Sequence, residues 1–204
     1  MNPAPGPIRV AGADTLKLKV ACDGMAHFNS FVRIPFLVLR QAIKPLPGMA
    51  PLETDTLKLR VWPNDVDFNF HLNNARYLNV MDYGRIHLLA RSGLLKPAIQ
   101  ARWTPVVGGV WITYRRSLGL WARYRLATRL VGWDERWFYF EQTFLGDEGL
   151  VAAGWVKGAL LDKAGAVAPQ QIMELAQPGI VSPPLSESIQ ILNELTREKL
   201  QSAG

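Results

Sequence analysis

Residues 74–92 read as a helix that carries Tyr77, Leu78, Val80, Met81, Tyr83, Ile86, Leu88 and Leu89, so apolar groups cover most of its circumference. Such a helix cannot face water on any broad side and has to be wrapped by other structure. Gly93 follows it, the residue that most readily takes the left-handed turn just past a helix end. The wrapping material comes next in the chain. Residues 110–118, 121–133, 137–144 and 150–161 read as four strands, separated by short breaks at 117–119, 133–135 and 146–149 that suit antiparallel hairpins. Before the helix, residues 56–61 alternate strictly, with Leu57, Leu59 and Val61 on the inward side. One strand, one long buried helix and then a meander of strands is an α+β order.

The 204 residues suit a single domain with extensions. We expect a leader and covering helix in residues 1–52, the folded domain in 53–165, and a helical extension in 166–204. The leader holds Pro3, Pro5 and Pro7. Residues 28–43 are too densely apolar for a solvated helix, and Arg33, Arg40 and Lys44 flank them. They either pack on the domain or lie on a membrane surface as a basic amphipathic segment; packing is the preferred reading, and peripheral membrane contact is the alternative. Residues 44–52 read as a linker, and 170–176 and 186–201 as two helices.

Composition narrows the chemistry. Net charge is +6, with arginine the main cation. This suits solubility, CoA phosphates, an acidic carrier or an anionic surface. Cys22 is alone, so no disulfide framework or cysteine-rich zinc site is expected, and a reducing, cytoplasmic setting is. The three histidines lie in separate contexts, which argues against a metal site. No cofactor is expected, because the chain has no phosphate loop and no dinucleotide fingerprint. It has no Gly-x-Ser-x-Gly elbow either, which argues against an α/β-hydrolase. Arginines among aromatic strands would fit RNA, but no RNA-binding motif accompanies them, so no nucleic-acid partner is expected.

The turn that leads into the helix concentrates the reactive groups: Asp65, Asp67, Asn69, His71, Asn73 and Asn74 lie within ten residues. Asn73 or Asn74 can cap the helix, whose first turn carries unpaired N–H donors and a partial positive charge. An acid beside an electrophilic helix start is what hydrolysis of an ester or thioester needs. Asp67 reads two ways, as an Asx-turn acid that shapes the loop or as a base or nucleophile. His71 is either a buried histidine satisfied by backbone or a group that orients Asp67, holds water or protonates a leaving thiolate. Asn69 positions water or a carbonyl, or only forms the turn. Asp65 is read as a structural acid. Gly108 and Gly109 form a bulge, or line an oxyanion site.

Asp67-Phe68-Asn69-Phe70-His71-Leu72-Asn73-Asn74 resembles the Asp-x-Asn-x-His-x-Asn-Asn pattern of plant acyl-ACP thioesterases, and Asp65-Val66-Asp67 resembles the acidic turn of the 4-hydroxybenzoyl-CoA thioesterase type. Val32-Arg33-Ile34-Pro35, Tyr114-Arg115-Arg116-Ser117-Leu118 and Val131-Gly132-Trp133-Asp134 add a likeness to the branch of thioesterase-superfamily member six. The resemblance implies a hotdog fold, in which a long central helix is wrapped by an antiparallel sheet. It implies hydrolysis of acyl-CoA or acyl-carrier-protein thioesters, and sites shared between two subunits of a homodimer or a dimer of dimers. It makes Asp67 the base or nucleophile, with His71 and Asn69 assisting. Asn73, Asn74, Tyr77, Gly108, Gly109, Thr113 and Arg115 fall to the substrate side. In the acyl-ACP enzymes a further acid stands where this chain has Thr113. A non-catalytic hotdog protein that binds acyl or lipid ligands is therefore the alternative. Arg115, Arg116, Arg123, Arg125 and Arg129 are expected to meet phosphates or to form a solvated face. Leu78, Met81, Trp111 and Phe138 are expected to line an acyl tunnel. Trp111, Trp133, Trp137 and Trp155 are expected to pack between helix and sheet.

Overall fold

The computed structural model describes residues 47–202. The expected leader, the covering segment 28–43, Cys22 and Val32–Pro35 lie outside the described residues. The chain runs β1 (Asp55–Arg60), a short 3-10 turn (Pro63–Asp65), α1 (Asn74–Arg91), α2 (Leu95–Gln100), β2 (Thr104–Tyr114), β3 (Arg123–Trp133), β4 (Phe138–Gly146), β5 (Gly149–Asp162), β6 (Gly165–Ala166), α3 (Pro169–Ala176) and α4 (Glu187–Gln201). The five long strands pair antiparallel in the order β1-β3-β4-β5-β2, and β6 adds to the end of β5. This curled sheet around α1 is the hotdog arrangement.

Side-chain alternation decides which face of the sheet meets the helix. On β3, Tyr124, Leu126, Thr128 and Leu130 are buried, while Arg123, Arg125 and Arg129 are exposed. Tyr77, Val80, Met81, Gly84, His87 and Leu88 form the buried side of α1. Gly84 marks the closest approach: a Cβ there would lie 2.6 Å from Leu126 Cδ2 and Thr128 Oγ1 and 2.9 Å from Gln142 Nε2. Gln142 is itself buried and donates to the Met81 carbonyl and Thr128 Oγ1, both at 3.0 Å, so it cannot easily swing away. Gly84→Val is expected to lower the free energy of unfolding by ~1–3 kcal/mol through overpacking, read from the urea midpoint.

Two elements and the placement of the tryptophans differ from the sequence reading. Strand β2 starts at Thr104 and ends at Tyr114, so Arg115, Arg116 and Ser117 leave the strand. The sequence reading began this strand at residue 110, but β2 is an edge strand, where Pro105 is tolerated, and Gly108-Gly109 lie within it at a bulge between Val107 and Gly109. Helix α2 occupies a stretch after Gly93 to which the sequence reading gave no element; Pro97 falls in its first turn, where a missing N–H costs nothing. Of the four tryptophans expected between helix and sheet, Trp133 is buried, Trp137 and Trp155 are half-buried, and Trp111 is 49% exposed on the β2 edge.

Candidate active site

Val61 and Ala122 tie the end of β1 to the segment before β3, since Val61 N donates to Ala122 O at 3.0 Å and Trp121 N to Val61 O at 3.1 Å. The chain then turns back over this end of the sheet. Asp65 is buried and organises the turn: it accepts from Trp62 N at 3.2 Å, and its carbonyl accepts from Asn73 N at 2.9 Å. Its role is structural, as the sequence suggested.

The loop from Val66 to Leu72 closes on itself as a small antiparallel bridge. Asp67 sits at its centre. The Asp67 N–H donates to His71 O at 2.9 Å, and Oδ1 accepts from Asn69 N at 2.9 Å and His71 N at 3.3 Å. One carboxylate oxygen is therefore fixed by two backbone donors, while Oδ2 makes no hydrogen bond among the described residues. Phe70 takes a left-handed φ of 58°, and its carbonyl is held by Leu120 N at 3.2 Å. A bulky residue in that conformation is strained, which is common where a loop must hold a functional geometry. Leu72 N donates to Leu118 O at 2.7 Å, and His71 bridges to Gly119.

Helix α1 begins at once. Asn73 is its N-cap, accepting from Ala75 N at 2.9 Å. Asn74 is exposed, and its carbonyl accepts from the Tyr114 hydroxyl at 3.2 Å. The half-buried Asp67 and the exposed side chains of Asn69 and His71 thus share one turn at the helix start. His71 meets Asp67 through its backbone, not its ring. Tyr77 is buried edge-on between Tyr114 and Phe144, with ring centroids 5.1 and 4.8 Å away. Burial, and then the neighbouring Tyr114, push its hydroxyl up to about 12.

The remaining candidates scatter. Thr113 is exposed on β2 opposite Ala153, and Arg115 lies just beyond the strand, its N–H on the Val151 carbonyl at 2.8 Å. A Cβ at Gly108 would meet the Trp137 ring at 2.4 Å, so that glycine makes room for packing. Gly109 opens onto free space. The arginines do not form one cluster. Arg129 pairs with Glu141 at 2.7 Å, and Arg116 reaches Glu148. Arg123 and Arg125 stand opposite Arg60 and Lys58, and together they line an open groove of about 650 Å³ beside the turn.

Two features escaped the sequence reading. One is an apolar cavity of about 440 Å³ between the C-terminal half of α1, α2, the start of β2, the sheet and α3. Phe138 lines it; Leu78, Met81 and Trp111 do not. Met81 is sealed in the core, Leu78 is exposed, and Trp111 lies on the sheet edge. Asp82 and Arg85 pair at the cavity, and their (i, i+3) spacing on a helix was a readable signal. Burial raises the Asp82 carboxyl above its ordinary value, with Arg85 opposing. The other feature is a buried ionic cluster in which Asp55 meets His87 Nδ1 at 2.5 Å and Arg91 at 2.8 Å. Among the described residues no group of three or more His, Cys, Asp or Glu could hold a metal ion, and no helix is long and apolar enough to cross a membrane.

A family model described as the thioesterase-like superfamily matches residues 61–190, which takes in the turn, α1 and the whole sheet after β1. The chain belongs to this superfamily. Protein THEM6 of Danio rerio is 39% identical over 134 residues, 64% of each chain, so this chain spans less than two thirds of that relative's length. YbaW, a probable thioesterase from Escherichia coli, superposes with a TM-score of 0.55 at 23% identity, over 62% of this chain and 98% of its own. Slr0204, a 1,4-dihydroxy-2-naphthoyl-CoA thioesterase from Synechocystis, gives 0.55 at 13% identity, over 63% and 98%. At these identities the two structures support the hotdog fold itself. After the sheet come α3 and α4, and Asn193 of α4 accepts from Lys157 at 2.9 Å and donates to the Tyr139 hydroxyl at 2.8 Å.

Proposed function

We propose that this chain hydrolyses acyl thioesters, with Asp67 as general base or nucleophile at the start of α1. The observation that carries the reading is the Asp67 carboxylate, one oxygen fixed by the Asn69 and His71 amides and the other left for chemistry, at a helix N-terminus. The helix start polarises the thioester carbonyl, and the Asn74 amide is the donor for its oxygen. As a base, Asp67 takes a proton from water while the hydroxide adds to the carbonyl carbon. The C–S bond then breaks, and the proton passes to the leaving thiolate. Asn69 and His71 orient the water and the leaving group. The carrier is CoA or an acyl carrier protein; the names of relatives such as Slr0204 favour CoA.

A second reading, acyl or lipid binding without turnover, draws on Thr113, an exposed neutral residue where related enzymes place an acid. Thiol release from a panel of acyl-CoAs, compared with the matching oxygen esters, separates the two. Hydrolysis is expected with thioesters preferred. Binding of every acyl-CoA with hydrolysis of none would favour the second reading.

The free edge of β2 supports a symmetric homodimer. Val107, Val110, Trp111 and Tyr114 are all exposed along it, and an unpaired apolar edge is a template for another strand. Light scattering at micromolar concentration is expected to give twice the chain mass, or a multiple of that for a dimer of dimers. A monomer mass would count against a shared site.

A further inference from the structure

Lys58 stands opposite Arg125, and Arg60 opposite Arg123, in the antiparallel pairing of β1 with β3. Residues directly opposite share a face of the sheet, so the four side chains form a square with Cβ atoms about 5–8 Å apart. All four are exposed, and none makes an ion pair among the described residues. Like charges placed directly opposite destabilise a sheet. Charge on an edge strand such as β1 guards against unwanted pairing, but β3 lies inside the sheet, where that reason does not extend to Arg123 and Arg125. Arg129, further along β3, has its acid, Glu141, at 2.7 Å. The square has none beyond Asp147, the one acid in the lining of its groove. Residues 1–46 do not supply the missing charge, since they carry two acids, Asp14 and Asp23, against six basic residues. Four clustered cations of this kind call for an anionic partner from outside the chain.

The square borders on aromatic rings. Trp62 follows Arg60 by two residues and lines the same groove. Trp121 precedes Arg123 by two and packs edge-on against Trp62, with ring centroids 5.6 Å apart. Both are about half exposed. Trp121 holds a left-handed φ of 66°, so backbone strain is stored where this ring meets solvent. Phe70, whose carbonyl accepts from Leu120 N, and Phe68 in the same turn are more exposed still. We propose that this surface docks the protein on an anionic lipid bilayer, with the four cations at the headgroup phosphates and Trp62 and Trp121 in the interfacial layer. Indole rings favour that layer, and clustered Lys and Arg are drawn to anionic headgroups. An acidic protein would match the cations but leave the rings facing charge. A bilayer presents phosphates and an apolar layer side by side, which matches both. The surface lies at the β1 end of the sheet, away from the free β2 edge, so a dimer through β2 leaves it uncovered. Charge and exposure alone support this docking, which does not depend on the thioesterase reading. The turn that carries Asp67 follows Trp62 directly, so docking sets that turn beside the lipid surface.

Co-sedimentation of the full chain with vesicles tests the docking. Phosphatidylcholine vesicles with about one third phosphatidylserine are expected to bind it, plain phosphatidylcholine vesicles to bind it far less, and raised salt to release it. Arg60→Gln/Arg123→Gln removes one opposed pair. Each cation near an anionic surface adds about fivefold to binding, so this variant is expected to bind about 25-fold more weakly. Its urea midpoint should hold or rise, because a repulsion is relieved. Arg60→Lys/Arg123→Lys should bind as the wild type does, since a bilayer surface reads charge and not the guanidinium fork. Wild-type protein that ignores anionic vesicles would overturn the docking. So would equal binding by Arg60→Gln/Arg123→Gln, which would place the contact elsewhere, as in residues 28–43. A lysine variant as weak as the glutamine one would point to a shaped site for a single anion, and would also overturn it.

A second measurement asks whether the rings reach lipid. Bromine on the acyl chains quenches indole fluorescence on contact. Quenching by brominated anionic vesicles is expected in the wild type and should fall in Trp62→Ser/Trp121→Asn, checked for unchanged circular dichroism; asparagine tolerates the left-handed φ at position 121. No quenching in the wild type, or equal quenching in the variant, would overturn the bilayer assignment. Charge-dependent vesicle binding in that case would show that charge alone is read, as an acidic protein partner would present it.

Discussion

Asp67→Asn is expected to lower kcat on acyl thioesters by a factor of about 100 to 10,000 while leaving the fold intact. The amide oxygen of asparagine can still accept from the Asn69 and His71 amides, so the turn keeps its shape. It neither takes a proton from water nor attacks a carbonyl. The loss should therefore fall on kcat, with thermal unfolding unchanged. Asp67→Ala would add a second effect, because it also removes the acceptor that holds the loop. Unchanged turnover by Asp67→Asn, on a substrate that the wild type hydrolyses, would remove this carboxylate from the chemistry.

The largest effect on stability is expected at the other end of α1. Asp55 is 1% exposed and is held by His87 and Arg91 from successive turns of the helix. Asp55→Ala leaves the buried His87 without its acid, while Arg91, a quarter exposed, keeps the Pro47 carbonyl; removing one partner of a buried ion pair costs up to about 3–5 kcal/mol. Urea unfolding measures it directly. The wild type should also show an acid limit. Burial alone would raise the Asp55 carboxyl, but the hydrogen bonds and charges of His87 and Arg91 outweigh it and hold the group below its ordinary value. A depressed carboxyl contributes its full stability above its unfolded value of about 3.9, and loses it as pH falls through the folded value. Urea midpoints of the wild type should thus drop below about pH 4, with a shallower drop in Asp55→Asn. A parallel acid dependence in both would show that Asp55 is not the group responsible.

Much of this architecture was legible because it rests on local periodicity. The apolar circumference of α1, the alternation of β3 and the glycine past the helix each follow from side chains within a few residues of one another. The turn was legible too, since Asp65, Asp67, His71 and the two asparagines are neighbours in sequence. The edge strand misled because proline and glycine weaken a strand pattern in general, and only the sheet order reveals that β2 has no partner on one side. The ionic cluster was half visible: His87 and Arg91 share a helix face, but their acid lies on β1. The cavity was not legible at all. Its walls come from α1, α2, α3 and four strands, and no stretch of sequence holds enough of them to signal an enclosed space.

The most direct measurement is a crystal structure with a non-hydrolysable acyl-CoA analogue in which a methylene ketone replaces the thioester. The account predicts the ketone oxygen within hydrogen-bond distance of the first-turn amides of α1, at Asn74, with the free oxygen of Asp67 beside the carbonyl carbon. A ketone bound away from this turn, with Asp67 touching neither it nor a water beside it, would contradict the account.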